Sequence, residues 1–570
     1  MLHPRRALCG EGAGRVKVLV VGGYGTFGGR LARLLADEPR VTLLMAGRSL
    51  AKARALCAEL DSRSTLVPWR FDRDGDLDAQ LGEAAPDLVV DASGPFQAYG
   101  ERPYRLAQAC IARGIDYLDL ADGADFVAGI ATLDDAARAR GVFALSGVST
   151  CPALTAAVVR RLSEGWRSVR SVTAGIAPTP WAGLGLSVVK GIAGYAGRPV
   201  KLVRDGRPAE GGALIESRRV TIAPPGQVPL RSLHFSLVDT PDLQVLPPLH
   251  PGLRDIWFGA GPTPESLHRM LNGMAWLVRW RLLPTLEPLA PLFHWAINRL
   301  RWGEHRGGMF VAVAGEDADG RPVARSWHLV AEGADGPFIP SMAAEATIRG
   351  LLDGRRPAAG ARPATSDLEL ADFEPAFARK AIAAGVREPV AEAEPVYHQV
   401  LGPAWDGMPP AWRAMHQLPE GETKTVSGRA SVERGRSLLA RLAGTLMGFP
   451  GAGDDVPVSV AFSRRNGVEL WRRTFAGRSF ASRQEAGRGR SEHLVVERFG
   501  PVAVHMAAAT DGETMRLVIR RFSVLGVPLP LWLGPTTTAS ERVEDGRFRF
   551  DVEIGHPLTG RIVLYRGWLA

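Results

Sequence analysis

Residues 16–28 constrain the fold more than any other part of the chain. An apolar run, Val-Lys-Val-Leu-Val-Val, leads directly into Gly-Gly-Tyr-Gly-Thr-Phe-Gly, and a helical pattern follows from Arg30 to Asp37. Gly23, Gly25 and Gly28 have the spacing G-x-G-x-x-G, and Gly22 precedes them. In a chain with 65 glycines this spacing alone is weak. Its context predicts a buried strand, a tight turn and a helix packed closely on the strand.

A loop of this kind is typical of dinucleotide-binding proteins. One glycine allows the sharp turn, one lets the backbone approach a pyrophosphate, and one lets the helix pack on the strand. The unpaired N–H groups and the positive dipole end of the helix then face the phosphates. The pattern therefore predicts a dinucleotide site that includes Gly22, Gly23, Gly25, Thr26, Phe27 and Gly28.

Short apolar runs alternate with helical patterns as far as residue 146. After the first strand, further strands are predicted at 41–46, 65–71, 87–92, 115–120 and 142–145. Near-continuous apolar strands separated by helices indicate a parallel sheet covered on both faces. We therefore expect an α/β fold with a doubly wound, Rossmann-type sheet in the strand order 3-2-1-4-5-6 and a ligand at the carboxyl ends of the strands.

The end of the second strand bears on the choice of cofactor. Enzymes that use NAD usually place an acidic residue there, whereas this chain has Ala-Gly-Arg-Ser at 46–49. Arg48 and Ser49 suit the 2′-phosphate of NADP, with Lys52 one turn further on. NADP is therefore favoured over NAD. The alternatives are that Arg48 is a surface arginine and that Ser49 is only a helix N-cap.

Two other strand ends offer candidate binding residues. Asp72 follows the third strand, where its side chain would lie beside the adenine or, alternatively, be a solvated loop acid. Ser93, Gly94 and Pro95 follow the fourth strand, where they would lie beside the nicotinamide or form a plain turn. The sequence identifies no catalytic residue. Tyr99 is placed to reach the nicotinamide face, although a packed aromatic explains it equally simply.

Four stretches together resemble the saccharopine dehydrogenase-like oxidoreductases. They are the glycine loop, the Ala-Gly-Arg-Ser corner, Ser93-Gly-Pro-Phe with Tyr99-Gly100, and residues 109–120. The likeness covers about residues 15–160 and extends weakly to about 385. It implies an NAD(P)-binding fold with an inserted α/β domain for substrate and often for dimerisation. Relatives often have Gly-Glu after the Tyr-x-Asp strand, where this chain has Ala121-Asp122-Gly123, so no role for that glutamate is carried over.

The chain after residue 165 changes character. Strands are predicted at 171–176, 231–238, 309–314 and 323–330, the last two as a hairpin, and 338–352 as a returning helix. Residues 354–366 and 387–395 look like connectors. A β-rich region follows, with seven or more strands between 456 and 565 that suggest a curved sheet or barrel. It resembles an uncharacterised bacterial domain appended to saccharopine dehydrogenase-like proteins.

These patterns divide the chain into four parts. We expect a dinucleotide-binding Rossmann domain at 15–165, an inserted α+β domain for substrate or dimerisation at 166–335, return helices and a linker at 336–386, and a mainly-β C-terminal domain of unknown function at 394–570.

Residues 267–302 form a helical segment rich in tryptophan. Trp276, Trp280, Trp295 and Trp302 alternate with arginines, without an uncharged run long enough to span a membrane. The segment would lie on a membrane surface, line an apolar substrate channel, or pack on a sheet or a dimer face.

Composition narrows the function classes. The net charge is +9, but the basic residues are scattered and only six are lysines, so nucleic-acid binding is not expected. The four cysteines match no zinc or redox motif, and His398, His416, His505 and His556 have no metal-ligand spacing, so no metal site is expected. No apolar run follows Arg5 and Arg6, so a signal peptide is not expected. The uncharged stretch 522–540 is broken by glycine and proline, so it is not expected to form a membrane-spanning helix. We expect a cytoplasmic protein, with peripheral membrane contact and a homodimer left open.

Two functions follow from these observations. The first is an NADP-dependent oxidoreductase that moves a hydride to or from an apolar or lipid-like carbonyl or enoyl substrate. The second is a non-catalytic NADPH-binding protein whose C-terminal domain binds a lipid or a protein partner.

Overall fold

The structure is a computed structural model that describes residues 14–96, 99–183 and 185–570. Contacts between Cα atoms divide the chain into two compact units. One comprises Met1–Arg218, His234–Ala324 and Ala331–Ile382, and the other Arg219–Leu233, Arg325–Val330 and Ala383–Ala570.

The first third of the chain folds as alternating strands and helices. The elements are β1 (Val16–Val21), α1 (Thr26–Leu34), β2 (Val41–Gly47), α2 (Leu50–Glu59), β3 (Thr65–Arg70), α3 (Leu77–Ala84), β4 (Leu88–Asp91), α4 (Arg105–Arg113), β5 (Asp116–Asp119), α5 (Ala124–Gly129), α6 (Asp134–Arg140), β6 (Phe143–Ser146) and α7 (Thr155–Leu162). The strands pair in parallel in the order β3-β2-β1-β4-β5-β6, which confirms the predicted doubly wound sheet.

Burial explains why these runs form strands. Every residue of β4, β5 and β6 is buried, and in β1 only Lys17 is not. A strand covered on both faces needs apolar residues throughout, as in β1. The helices begin at short polar caps, since the side chains of Ser49 and Asp76 accept from the N–H groups of Lys52 and Ala79.

A second sheet follows, which makes this part α+β as expected. The elements are β7 (Ser168–Ala177), α8 (Leu186–Tyr195), β8 (Pro199–Arg204), β9 (Arg207–Gly212), β10 (Ser217–Val220), β11 (Leu233–Leu237), α9 (Asp242–Val245), β12 (Asp255–Ala260), α10 (Glu265–Arg279), α11 (Ala290–Arg299), β13 (Gly307–Glu316) and β14 (Pro322–Ala331). Strand β7 pairs in parallel with β12 and antiparallel with β13, so the sheet is mixed. Strands β8 and β9 form a separate antiparallel hairpin.

The chain then returns to the first sheet through α12 (Ile339–Leu352) and β15 (Gly360–Pro363), and after α13 (Leu370–Ala378) it adds β16 (Ile382–Arg387) to the second sheet beside β14. Helix α12 was predicted, and Ser341 on it donates a hydrogen bond to the Phe27 carbonyl (3.1 Å). The expectation of a plain connector over 354–366 is wrong, because β15 pairs in parallel with β6 as a seventh strand. Proline is tolerated there because an edge strand leaves one row of backbone groups unpaired.

The C-terminal part is mainly β, as predicted. Its elements are α14 (Val396–Leu401), α15 (Pro410–His416), β17 (Thr423–Arg434), α16 (Leu438–Leu446), β18 (Gly453–Arg465), β19 (Val468–Phe475), β20 (Arg478–Ala486), β21 (Val495–Phe499), β22 (Val502–Thr510), β23 (Thr514–Val524), β24 (Val527–Leu529), β25 (Thr536–Glu544), β26 (Arg547–His556) and β27 (Gly560–Leu569).

Ten of these strands close on themselves. The antiparallel order is β22-β21-β20-β19-β18-β17-β27-β26-β25-β23, and β23 also pairs with β22, while β24 is attached to β23 alone. The result is a closed barrel with its own hydrophobic core. Among the described residues, no helix combines the length and hydropathy needed to cross a bilayer.

Candidate functional site

The glycine loop forms the tight turn that its spacing predicted. Gly22 has a φ of +79°, and a Cβ on it would lie 2.8 Å from the Ala92 carbonyl oxygen and 2.9 Å from the Ser93 Cα. A Cβ on Gly28 would lie 2.5 Å from the Gly22 carbonyl oxygen. Only glycine therefore allows β1, α1 and the end of β4 to approach this closely.

The N-terminus of α1 is open at the carboxyl edge of the sheet. Gly25 caps the helix with no side-chain hydrogen bond, and its first turn has no acidic residue. Thr26 is exposed and Phe27 half-buried at this end. The first N–H groups of a helix lack intrahelical partners, so this end favours an anion.

The corner after β2 lies beside the glycine loop. The N–H groups of Gly22 and Gly23 both donate to the Ala46 carbonyl (3.0 and 2.9 Å). Tyr24 packs over Gly47, where a Cβ would lie 2.5 Å from its ring, and its hydroxyl accepts from the Ser49 N–H (3.0 Å). Sequence reasoning missed Tyr24, although its position inside the glycine motif was the available signal.

The two candidate residues of this corner differ in their surroundings. Ser49 caps α2, which was one of its two predicted roles. Arg48 is exposed immediately after β2, so its charge is available to a ligand at this edge.

Asp72 lies in an exposed turn after β3. Its carboxylate accepts from the Asp74 N–H (3.1 Å), and its own N–H donates to the Gln80 side chain (2.7 Å). These bonds hold the turn itself. The role beside an adenine stays a prediction.

A polar cluster follows β4. The Ser93 hydroxyl donates to the buried Asp91 carboxylate (2.5 Å) and lies 2.8 Å from the Tyr99 hydroxyl. Burial raises the pKa of the Asp91 carboxyl, and burial together with the Asp91 charge raises the pKa of the Tyr99 phenol. Gly94 and Pro95 continue the turn, half-buried.

Aromatic packing holds the Tyr99 ring beside this turn. Its centroid lies 5.0 Å from that of Phe96 and 5.8 Å from that of Phe126. Tyr99 is therefore both a packed aromatic and a hydrogen-bonding group. Its hydroxyl is directed towards Ser93 and Asp91.

Sequence reasoning also missed Asp119 at the end of β5. Its fully buried Oδ1 accepts from the Ala121 N–H (3.0 Å), the Ser146 hydroxyl (2.9 Å) and the Gly147 N–H (2.9 Å). Its Oδ2 has no hydrogen-bond partner among the described residues. Burial raises the pKa of this carboxyl to about 7, and the nearby Asp91 adds to the effect.

A second group of buried carboxyls lies where α9 meets the segment after β6. Burial raises the pKa of both Asp239 and Asp242 to about 6. The pKa of the Cys151 thiol is well above its usual value because of burial, and the Asp242 charge contributes. Cys57, Cys110 and Cys151 are free thiols, and Cys9 lies outside the described residues.

The remaining candidate histidines have local partners. His416 is buried against Glu541 (Nε2 to Oε2, 2.7 Å), His505 contacts the Ser491 hydroxyl (2.8 Å), and His398 contacts Glu394 (3.1 Å). His556 lies 3.1 Å from the Leu533 carbonyl oxygen. Within the described parts of the chain, no three metal-binding side chains are grouped to hold an ion.

The structure thus brings the loop, the β2 corner and the β4 turn together at one edge of the first sheet. Residues 18–145 match the family model described as the saccharopine dehydrogenase NADP binding domain. The chain carries this domain. The resemblance found in the sequence is therefore confirmed, and the domain indicates a nicotinamide dinucleotide as cofactor.

The C-terminal domain matches a second family model. Residues 408–569 correspond to a domain of unknown function, DUF4166, in agreement with the predicted uncharacterised domain. No curated protein matches the chain significantly in sequence.

Three solved structures illustrate the structural similarity. Saccharopine dehydrogenase (L-Glu forming) from Saccharomyces cerevisiae is 14% identical, with 66% of this chain and 100% of that chain covered and a TM-score of 0.45. A meso-DAPDH mutant from Clostridium tetani is 12% identical (63% and 97% covered, TM-score 0.31). The WlbA dehydrogenase from Thermus thermophilus is 14% identical (63% and 94% covered, TM-score 0.29). Similarities this low carry no conclusion about substrate.

Proposed function

We propose that this protein is an NADP-dependent oxidoreductase that transfers a hydride to or from an apolar carbonyl or enoyl substrate. The observation that carries the proposal is the open N-terminus of α1, which lies between the exposed Arg48 and the Ser93 turn. An anion site flanked by a basic corner and a polar turn fits a dinucleotide with a 2′-phosphate.

The residues present fit such a cofactor. A Cβ on Gly22 or Gly28 would strike backbone atoms of the loop and of the turn after β4, so these glycines hold the turn tight and bring the uncapped α1 N-terminus to the place where a pyrophosphate would lie. The α1 N–H groups would hold the pyrophosphate, Arg48 the 2′-phosphate, and Ser93 to Pro95 would border the nicotinamide. The bound cofactor would supply or accept the hydride, and the protein supplies binding and orientation.

Tyr99 and Asp91 act as positioning residues in this proposal. The raised pKa of the Tyr99 phenol keeps its proton in place at neutral pH. Its hydroxyl therefore keeps donor capacity, and it lies within hydrogen-bond distance of Ser93, whose own hydroxyl donates to Asp91. This arrangement orders the turn against which the nicotinamide would lie.

The substrate class is inferred from the surroundings of this turn. Phe96, Ala121, Phe126 and Val127 form an apolar cluster with Val245 of α9. Asp242 in α9 is buried, and Asp239 just before α9 is half-buried. Carboxylates here repel a substrate with several carboxylates, such as saccharopine, so an apolar carbonyl or enoyl compound fits better.

Titration of NADPH and NADH into the purified protein tests the cofactor. Arg48→Ala should weaken NADPH binding by about ten- to a hundredfold, because it removes a charge-assisted hydrogen bond of about 1.5–3 kcal/mol. NADH binding should change little. The matched control is Arg63→Ala, which removes an exposed arginine from the opposite edge of the same sheet.

Absence of saturable binding of either nucleotide would refute the proposal. Equal weakening of NADPH and NADH by Arg48→Ala would refute the choice of NADP. A panel of apolar enones and ketones then tests turnover through NADPH absorbance. Tight NADPH binding without oxidation by any of them would favour a non-catalytic NADPH-binding protein.

A further inference from the structure

The closed barrel contains an apolar cavity. Its ten strands present alternate side chains inwards around a cavity of about 150 Å³. An apolar cavity of about this size stays dry and can hold a small apolar group. Phe462, Val504, Met506, Leu517, Phe548 and Phe550 are among the lining residues. The interior thus offers space for an apolar molecule.

A few polar groups interrupt this lining on three adjacent strands. Arg473 on β19 pairs with Glu497 on β21 (3.2 Å) and donates to the Ser482 hydroxyl on β20 (2.8 Å). Gln484 also lines the cavity, is 1% exposed, and its Oε1 has no partner among the described residues. An unsatisfied buried acceptor is costly, and a ligand donor would satisfy it. The cavity therefore fits a ligand with a polar donor and an apolar part small enough for this volume.

One end of the barrel is closed by helices. Trp412 and His416 of α15 are buried there and both contact Glu541 on β25 (3.2 and 2.7 Å). Arg464 of β18 is fully buried and donates to the backbone carbonyls of Ala393 and Glu394 (2.8 and 2.6 Å). These contacts fix the helical plug, so access to the cavity lies at the other end.

The other end carries exposed apolar side chains, which we call the collar: Leu438, Leu442, Leu446, Leu525, Trp532 and Leu558. Each is between 57% and 82% exposed. Hydrogen bonds join their segments, since the Ser437 hydroxyl donates to the Thr559 carbonyl (2.9 Å) and His556 contacts the Leu533 carbonyl. Met447, Phe449 and Pro535, in the same segments, line the cavity. The collar therefore borders the mouth.

The charges around the collar are mixed, with an excess of arginine: Asp454 and Asp455 are exposed at the start of β18, and Asp455 pairs with Arg429. The connections between strands at this end contain Arg436 and Arg441 and no acidic residue, and Arg478 begins β20 here. These connections are residues 435–452, 476–477, 500–501, 525–526, 530–535 and 557–559. All three arginines are exposed. The connections at the plugged end include Asp511, Glu513 and Asp545. These three arginines make no ion pair among the described residues, so an apolar surface that carries them is complementary to an anionic lipid surface.

We infer that the barrel mouth docks on an anionic lipid surface through the collar and that the cavity takes up the end of one acyl chain from it. Helix α16 would lie in the interface, because Leu438, Leu442 and Leu446 share its exposed face while Ala440 and Gly444 face the barrel. The inference goes beyond the oxidoreductase proposal and does not depend on it.

Vesicle flotation with the full chain tests docking. We expect binding to vesicles of phosphatidylcholine with phosphatidylglycerol, and weak binding to phosphatidylcholine alone. The double change Leu442→Glu and Leu446→Glu should weaken binding at least about tenfold, because it removes two inserted apolar side chains and adds charge repulsion. Val518→Glu, on an exposed residue of β23 outside the collar, is the matched control.

The tryptophans of α10 provide the competing explanation. Trp276 and Trp280 are 40% and 62% exposed, so they offer another surface for lipid. Loss of flotation in a Trp276→Ala, Trp280→Ala variant, with normal flotation of the collar variant, would overturn the inference. Failure of the wild-type chain to float with anionic vesicles would also overturn it and would point to a protein partner for the collar.

The cavity is tested with 11-(dansylamino)undecanoic acid. We expect saturable enhancement of its fluorescence at one site per chain, displacement by unlabelled fatty acid, and retention of this binding in the collar variant. Val504→Trp should reduce probe binding about tenfold or more by filling the cavity. Because that variant could unfold, Gln484→Leu serves as a second one, and it should weaken an uncharged dansyl amide, whose N–H group can donate to the Gln484 Oε1, more than the ionised fatty-acid probe. Enhancement that persists unchanged in a folded Val504→Trp protein, or no enhancement at all, would contradict the cavity assignment.

Discussion

At the scale of single residues, Asp119 joins the ends of β5 and β6 at the edge of the first sheet. One carboxyl oxygen accepts from the N–H groups of Ala121 and Gly147 and from the Ser146 hydroxyl, while the other is buried with no hydrogen-bond partner among the described residues. The ionised form is therefore poorly solvated although it is well oriented. This explains why burial outweighs the three hydrogen bonds and raises the pKa to about 7.

Asp119→Asn should change the pH dependence of stability. In the folded protein the carboxyl holds its proton up to about pH 7, whereas in the unfolded chain it loses it near its ordinary pKa of about 3.9. The folded state thus binds more protons between these values, and the free energy of unfolding falls as the pH rises. Asparagine keeps an Oδ1 acceptor but does not titrate. Wild-type stability relative to the variant should fall by at most about 1.4 kcal/mol per pH unit between about pH 4 and 7.

Urea unfolding of both proteins across that range measures this slope. The control is Asp61→Asn, which changes an exposed loop carboxyl before β3. Its free energy of unfolding should vary with pH in parallel with that of the wild type. Parallel curves for Asp119→Asn as well would show that this carboxyl does not titrate between pH 4 and 7.

At the scale of elements, the junction of β1 and α1 depends on a backbone contact. A Cβ on Gly28 would lie 2.5 Å from the Gly22 carbonyl oxygen and 2.7 Å from the Gly23 Cα, and neither backbone atom can move away cheaply. Gly28→Ala should therefore cost about 1–3 kcal/mol of stability and displace the start of α1. Because the α1 N-terminus is the proposed anion site, nucleotide binding should fall with it.

Gly191→Ala is the matched control for this change. Gly191 lies within α8, has an ordinary φ, and a Cβ there would meet no atom within 4 Å. Alanine should stabilise that helix by up to about 1 kcal/mol. Thermal unfolding and NADPH titration of both variants separate the effects. An equal response of the two variants would show that the loop has more room than its geometry indicates.

Some strands could be predicted from the sequence and others could not. Strand β1 and its loop were predictable because a short apolar run and a glycine spacing are local signals. Strand β15, Gly-Ala-Arg-Pro, has no strand composition, and only its pairing with β6 makes it a strand. Strand β25 is polar, Thr-Thr-Thr-Ala-Ser-Glu-Arg-Val-Glu, and is defined by its neighbours β23 and β26. Pairing between distant segments leaves no local pattern to read.

The same distinction applies to the candidate site. The loop glycines, Arg48 and Ser93 were found because they follow strands within recognisable motifs. Asp119 was missed because its raised pKa depends on burial beside Ser146 and Gly147, which are 27 and 28 residues away in the chain. The cavity of the barrel was likewise hidden, since it exists only when ten strands close.

At the scale of the whole molecule, separate hydrophobic cores underlie the sites of the two proposed ligands. One cluster comprises residues between 19 and 361, and another comprises residues between 396 and 569. A ligand stabilises the part that binds it, by about 2.7 kcal/mol at a hundred times its Kd. NADPH and an acyl-chain ligand should therefore protect different segments from unfolding.

Hydrogen exchange of the full chain measures this directly. NADPH should slow exchange in peptides that cover α1, the β2 corner and the turn after β4, with little change in barrel strands. The dansyl fatty acid should slow exchange in β19 to β23 and in α16 instead, because those elements line the cavity or border its mouth. The Arg48→Ala protein should lose the protection by NADPH and keep the protection by the dansyl fatty acid. The Val504→Trp protein should lose the protection by the fatty acid and keep that by NADPH. Protection of the barrel by NADPH alone would place the nucleotide response outside the first sheet and would contradict the assignment of the two sites.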